Sequence, residues 1–467
     1  MSRQHLSRRR LLALIGGTGA LAGCTDFSSD GSEDATAATE STTVPSEDTV
    51  QTEATARTTD RPSTETATAR EETEATPTEA EDTETETTEA QVSDTIYVSP
   101  GGDDDNPGTE AEPMETILSA LDAVEPGQTV YLQPGEYRGR VVTIRPGEPD
   151  SPITITGSED AVIRPSRETD EQYYYPIKIQ HSHYRLTGVT ITGLMDPSAP
   201  EQVDSYTTRL LQVSARPESS AYVEDVVIAP HGIGHTQRAM ISVVRVKDSE
   251  FGPFKVIGPA GVQYLYDDPV SHIGEIIYIG QPLQVYADGA DGYFWDTYEQ
   301  TRNIRIHHID NSEGYHHAEM VDCKDGTRNI TIEYCTDAGG SQNNEPFSAQ
   351  SIHVRGHDCT FRWNRLADGE GNGIEVYKPG SDEVYPEFGF DQAVVDRIAT
   401  DNEIYGNEIS GFGGEAIAFD EDTIDAQRHV CGNDIEGSTN GDPEKECPAE
   451  LPAGDGIGHT GGDSPYT

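Results

Sequence analysis

The segment HHAEMVDCKDGTRNITIEYC, residues 316–335, sets Lys324 between Asp322 and Asp325 in a chain that holds only six lysines. Carboxylates, a lysine and two histidines this close together suit proton transfer or the holding of a cation. In this stretch Val321 and Cys323 alternate with Asp322 and Lys324, as in a strand with one apolar and one polar face. The alternation recurs in SIHVRG (351–356), GIEVYKPG (373–380) and AIAFDED (416–422). If these strands stack in register, their outward residues form two rows, Asp322/His353/Glu375 and Lys324/Arg355/Tyr377, with Asp420 on the next coil. Acids, bases and a phenol then share one patch. The plainer reading is a solvated sheet face on which the Lys-Arg-Tyr stack is a cation-π ladder between coils.

Whether the rows exist depends on the elements that carry them. From residue 130 onwards the signal is short alternating strands broken by Gly, Asn and Asp, without a long helical pattern. TRNIRIHHID at 301 repeats as TRNITIEYCT at 327, a period of 26 residues (327 minus 301). HDCTFRWNRL, TDNEIYGNEI and RHVCGNDIEG follow at 357, 400 and 428, and aligning the strands places Cys335, Asn364, Asn407 and Asn433 at one position. Stacked asparagines at a coil corner, strands of about five residues and no hairpin turns describe an all-β solenoid, a parallel β-helix of about a dozen coils. Its opening stretch, 95–139, holds Met114, Ile117, Leu118, Leu121 and Val124 near helical spacing. That stretch resembles the N-terminal cap of pectate-lyase-like right-handed parallel β-helices, which implies a right-handed solenoid under a capping helix.

The motif A-E-x-V-D-x-K-D-G-T, carried by Ala318, Glu319, Val321, Asp322, Lys324, Asp325, Gly326 and Thr327, resembles a group of exported β-helix proteins. It is more distantly similar to the alginate lyase and chondroitinase B branch of the polysaccharide lyases. That second resemblance implies Lys324 as base, Arg355 as the assisting arginine, and Glu319 as one glutamate of a calcium site. The pattern departs from the branch at Cys323, at the order Arg355-Gly356-His357, and at His317, which stands in place of a second glutamate. The implied chemistry is β-elimination, in which the proton beside a uronate carboxylate is removed once that carboxylate is neutralised. A lysine serves as base only when neutral. Arg355 one coil away favours the neutral amine, whereas Asp322 and Asp325 favour the ammonium. Asp322, His353, Glu375 and Tyr377 are the expected substrate contacts.

Other chemistry is less well supported. Asp322 and Glu375, two coils apart, would stand about 9.6 Å from each other at the usual strand spacing, at the upper end of the range for an inverting glycosidase pair. DGADGYFWD at 288–296 reads as a sugar-stacking loop, a weak calcium loop or a turn burying Trp295, and Tyr173–Tyr175 as groove lining or core. His316 and His317 form no metal-ligand spacing and read as surface histidines. Asn329-Ile330-Thr331 is a lone glycosylation sequon.

The remaining segments set the address. Residues 1–24 carry Arg8-Arg9-Arg10, a short apolar run and Leu21-Ala22-Gly23-Cys24. They resemble a Tat-type lipoprotein signal with Cys24 as the lipidated residue, implying export and anchoring to the outer face of the membrane. Residues 25–94 hold 20 threonines and 20 acids against three arginines, a composition that cannot form a core. As a flexible coil this linker would span about 45 Å. The segment 95–467 keeps 64 acidic and 24 basic residues (84 less 20; 31 less 3 and 4), a net charge of -40. This acidity excludes casual binding of nucleic acid and resembles proteins of salt-loving archaea, in which concentrated salt screens self-repulsion. Of the five cysteines after Cys24, Cys431 and Cys447 flank a turn-rich stretch suited to a disulfide. The expectation is a monomeric surface protein acting on an acidic polysaccharide; a glycan-binding or envelope module and a β-helix hydrolase are the alternatives.

Overall fold

The computed structural model describes residues 94–164, 176–194, 209–215, 221–261, 274–282, 300–340, 350–378, 392–420 and 423–437, with parts of 443–458. The signal, the linker, Tyr173–Tyr175 and 288–296 lie outside the described residues.

The strands form three parallel sheets of 12, nine and ten strands. After the first strand, Thr95–Val98, the chain visits the three sheets in turn, giving a right-handed parallel β-helix. The 26-residue repeat is literal: Arg302–His307 pairs with Arg328–Glu333, with Ile304 opposite Ile330 and Ile306 opposite Ile332. The inward column continues from Ile332 through Phe361, Ile404 and Val430, all of them fully buried. On the nine-stranded sheet Ile241, Ile277, Val321, Ile352, Ile374 and Ile417 stack in the same way. Each such side chain contributes roughly 1.5–3 kcal/mol relative to exposure, and identical spacing fixes the register, because a one-residue slip would turn the column outward.

At the corners the asparagine stack is present. Asn364 Oδ1 accepts the Cys335 amide at 3.0 Å, Asn407 Oδ1 accepts from Asn364 Nδ2 at 3.0 Å, and Asn433 Oδ1 accepts from Asn407 Nδ2 at 2.9 Å. Each amide side chain thus satisfies polar groups that the turn withdraws from the ladder.

The first coil is covered by a helix at Ile117–Ala123, capped by Thr116, whose hydroxyl accepts the Ser119 amide. Ile117, Ala120 and Leu121 face the core, but Leu118, which the spacing assigned to the apolar face, is 46% exposed. A helix of two turns has room for only one buried stripe, and Leu118 falls beside it. Cys431 and Cys447 are joined as a disulfide, and Cys323, Cys335 and Cys359 are buried free thiols.

Candidate functional site

The strands Val321–Cys323, Ile352–Val354 and Ile374–Val376 are neighbours in the nine-stranded sheet, and their register makes Asp322, His353 and Glu375 one row. One residue beyond each strand end, the amides of Lys324, Arg355, Tyr377 and Asp420 donate to Ile279, Cys323, Val354 and Val376 of the preceding coil. Both expected rows therefore form.

They do not form a solvated face. Asp322 is 1%, Glu319 4% and Lys324 9% exposed. Withdrawing charges from water costs several kcal/mol each unless they are paired, and here they are. Lys324 Nζ contacts Asp322 Oδ2 directly. His353 Nδ1 stands 3.4 Å from the other oxygen of Asp322 and 3.9 Å from Glu319 Oε1. Arg355 reaches Asp325 at 3.3 Å, and Gln350 donates to Glu375. The ring centroids of His353 and Tyr377 are 5.8 Å apart.

The two buried carboxylates diverge. Burial pushes both upward, but Lys324, His353 and Arg355 together hold Asp322 far below the usual carboxylate range. At Glu319 the balance is reversed: burial, the Asp322 charge and Glu275 outweigh the pull of Lys324 and drive it well above its ordinary value. Asp322 is accordingly held as an anion near neutral pH, whereas Glu319 is shifted toward its protonated form. Tyr377 is also pushed up, by burial first, and keeps its phenolic proton.

Two neighbours of the candidate site escaped the sequence reading. Tyr278 continues the Asp322 row on the preceding coil, and Lys324 Nζ lies 4.8 Å from its ring centroid. Glu275 precedes Ile276, whose amide donates to Glu319 O, so the two glutamates occupy equivalent positions on adjacent coils. Burial raises Glu275 as well. The strand itself is legible as IGEIIYIG, but 41 residues separate Ile279 from Val321 (321 minus 279, less one), and that length hides the equivalence.

His316 and His317 are not surface histidines: both are buried. His316 Nε2 contacts Asp337 Oδ2 at 2.9 Å and Nδ1 contacts the Ala318 carbonyl at 3.1 Å. Asp337 also accepts from Asn311 at 2.7 Å and Ser351 at 2.5 Å. This closed network anchors the turn that delivers Glu319.

Glu319, Asp322 and His353 offer three ligand atoms within 4.8 Å of one another, and neither Asp322 Oδ1 nor His353 Nδ1 has a hydrogen-bond partner. The two carboxylates suit calcium; the imidazole suits first-row transition metals better.

A family model described as the Pel9A-like right-handed β-helix region matches residues 96–223, which precede the site. The uncharacterized protein YwoF of Bacillus subtilis (strain 168) is 32% identical over 105 residues, a stretch spanning only 22% of either chain. An alginate lyase from Paenibacillus sp. str. FPU-7 superposes with a TM-score of 0.50 at 16% identity, covering 74% of this chain and 96% of that one. Pectate lyase Pel9A gives 0.37 at 15% identity, covering 70% and 67%. At these identities the structural likeness concerns the fold alone, and the fold is the right-handed parallel β-helix.

Proposed function

We propose that this protein acts on an acidic polysaccharide by β-elimination at uronate residues. The observation that supports this reading best is the burial of Asp322 and Lys324 on the outer side of a sheet, in register with His353 and Arg355. A ladder serving only to tie coils together gains nothing from desolvating its charges, whereas a proton-transfer site does.

In this reading Lys324 takes the proton beside the uronate carboxylate, the glycosidic C–O bond breaks as the carbon–carbon double bond forms, and the leaving oxygen takes up a proton. Arg355 neutralises the carboxylate, and Tyr377, which keeps its proton, is the donor next to it in the row. Lys324 must be neutral to act. Asp322 lies in direct contact with its nitrogen and orients it. His353 and Glu375 bind the sugar. A divalent cation, calcium in the first instance, at Glu319, Asp322 and His353 would add positive charge near the substrate carboxylate and would favour the ionised form of Glu319.

We further propose that Cys24 carries a lipid anchor, that residues 25–94 tether a monomeric catalytic domain at the cell surface, and that it works in concentrated salt.

The test is incubation in molar salt with alginate, pectate and glycosaminoglycans, following the ultraviolet absorbance of an unsaturated uronate, beside Lys324→Ala. Absorbance that rises with wild type and not with the variant supports elimination. New reducing ends without absorbance point to hydrolysis through Asp322 and Glu375, and binding without product to a glycan-binding module.

A further inference from the structure

The coil turns sharply after the candidate site: the Thr327 amide and hydroxyl both donate to the Lys324 carbonyl. Arg328 then opens the strand Arg328–Glu333 on the 12-stranded sheet. It stands four positions after Lys324, so the two α-carbons lie within about 14 Å. On the preceding coil Arg302 occupies the same register position, and strand spacing puts the two residues about 4.8 Å apart along the solenoid.

Nearby cations on this sheet are matched. Lys247 holds Glu224, Arg305 and Arg362 both clasp Glu333, and Arg397 and Arg428 clasp Asp358. Arg302 and Arg328 break the pattern: among the described residues no carboxylate forms an ion pair with either. Arg302 Nη1 donates to the Gln300 carbonyl at 3.1 Å, and its guanidinium carbon lies 4.5 Å from the Tyr222 ring centroid. Arg328 Nε is buried with no hydrogen-bond partner. In a chain with 84 acidic and 31 basic residues, two adjacent guanidinium groups without a counter-charge run against composition. Both line a groove of about 480 Å³, together with Asn303, Asn329, Thr360 and Arg428. Asp358 is the single acid there, and its charge is already taken up by the two arginines that clasp it.

We propose that this groove is a second anion subsite, in which Arg302 and Arg328 grip the carboxylate or sulfate group of an acidic sugar unit on the same glycan that occupies the Lys324 site. The placement rests on the proposed function; the anion specificity does not. Planar guanidinium forks recognise such oxyanions in a bidentate manner, and this contact survives the short Debye length of concentrated salt better than a diffuse potential.

The experiment uses the full chain carrying Lys324→Ala, with and without Arg302→Gln and Arg328→Gln, titrated in molar salt with oligogalacturonates, oligoalginates and chondroitin sulfate oligomers of increasing length, and with maltooligosaccharides as neutral controls. Far-ultraviolet circular dichroism confirms folding. The expected result is a loss of about tenfold or more in affinity for long acidic oligomers in the double glutamine variant, no loss for the shortest ones, and no binding of the neutral series. Length-independent weakening for acidic oligomers alone, with no unsaturated product from the Lys324-intact chain, would keep the anion site and sink the elimination reading. Unchanged affinity in the double variant, equal binding of neutral oligomers, no binding of any oligomer, or a fall in melting temperature without a change in binding would each overturn the subsite.

Discussion

Removing Lys324 should destabilise the protein more than removing it together with Asp322. Asp322 is 1% and Lys324 9% exposed, and the two are in direct contact. Taking away one member of such a pair leaves a buried charge uncompensated, which costs about 3–5 kcal/mol. His353 lies 3.4 Å from the second Asp322 oxygen and can take up part of the stranded charge. Lys324→Met should therefore fall at the lower end, about 3 kcal/mol. Asp322→Leu strands Lys324 beside the Tyr278 ring without its direct carboxylate partner and should cost at least as much. The double variant replaces the pair by apolar groups of similar volume and should recover most of the loss. Guanidinium or urea unfolding of the four proteins at fixed salt gives the coupling energy. A coupling near zero would refute the buried pair, and with it the argument that these charges were withdrawn from water for chemistry. Lys324→Met and the double variant should both be inactive, which separates stability from function.

Three further outcomes follow from the same geometry. Arg355→Lys keeps the charge but loses the guanidinium fork that the proposed reaction sets against the substrate carboxylate, and kcat for elimination should fall by roughly 100-fold or more with little change in unfolding midpoint. Asp337, held below its ordinary 3.8 chiefly by His316 against the upward push of burial, contributes stability that is present above about pH 4 and lost as pH falls through its lower folded value. Melting temperature against pH should accordingly drop more steeply on the acid side for wild type than for Asp337→Asn. Asn407 is fully buried and its side chain bonds to Phe361 O, Asn433 Oδ1 and the Asn364 amide. Asn407→Ala removes these three bonds and leaves the buried Asn364 amide without its Asn407 acceptor, and should cost about 3 kcal/mol, read as a lower denaturant midpoint.

Alternation of period two around Val321 and Cys323, repeated in three later strands, determined that Asp322, His353 and Glu375 share a row and that Lys324, Arg355 and Tyr377 share the next. Parity within a strand is local, and identical coil positions stack because parallel pairing allows little else. The asparagine stack and the Cys431–Cys447 bridge were legible for the same reason: repeat spacing or chain proximity fixes both. Burial was not. Alternation says which way Lys324 points relative to the apolar interior, but whether water reaches its ammonium depends on chain segments far away in sequence. That difference turns a solvated ladder into a desolvated pair, and drives the carboxyls of Asp322 and Glu319 in opposite directions. Glu275 and Tyr278 joined the site across an irregular coil whose length breaks the period. His316 met Asp337 21 residues along the chain, through a contact between side chains on which neither local propensity nor spacing bears. Sequence set the rows, because they depend on the backbone's own repeat; only the tertiary structure set the charges, because solvation and Coulomb interactions depend on every neighbour in space.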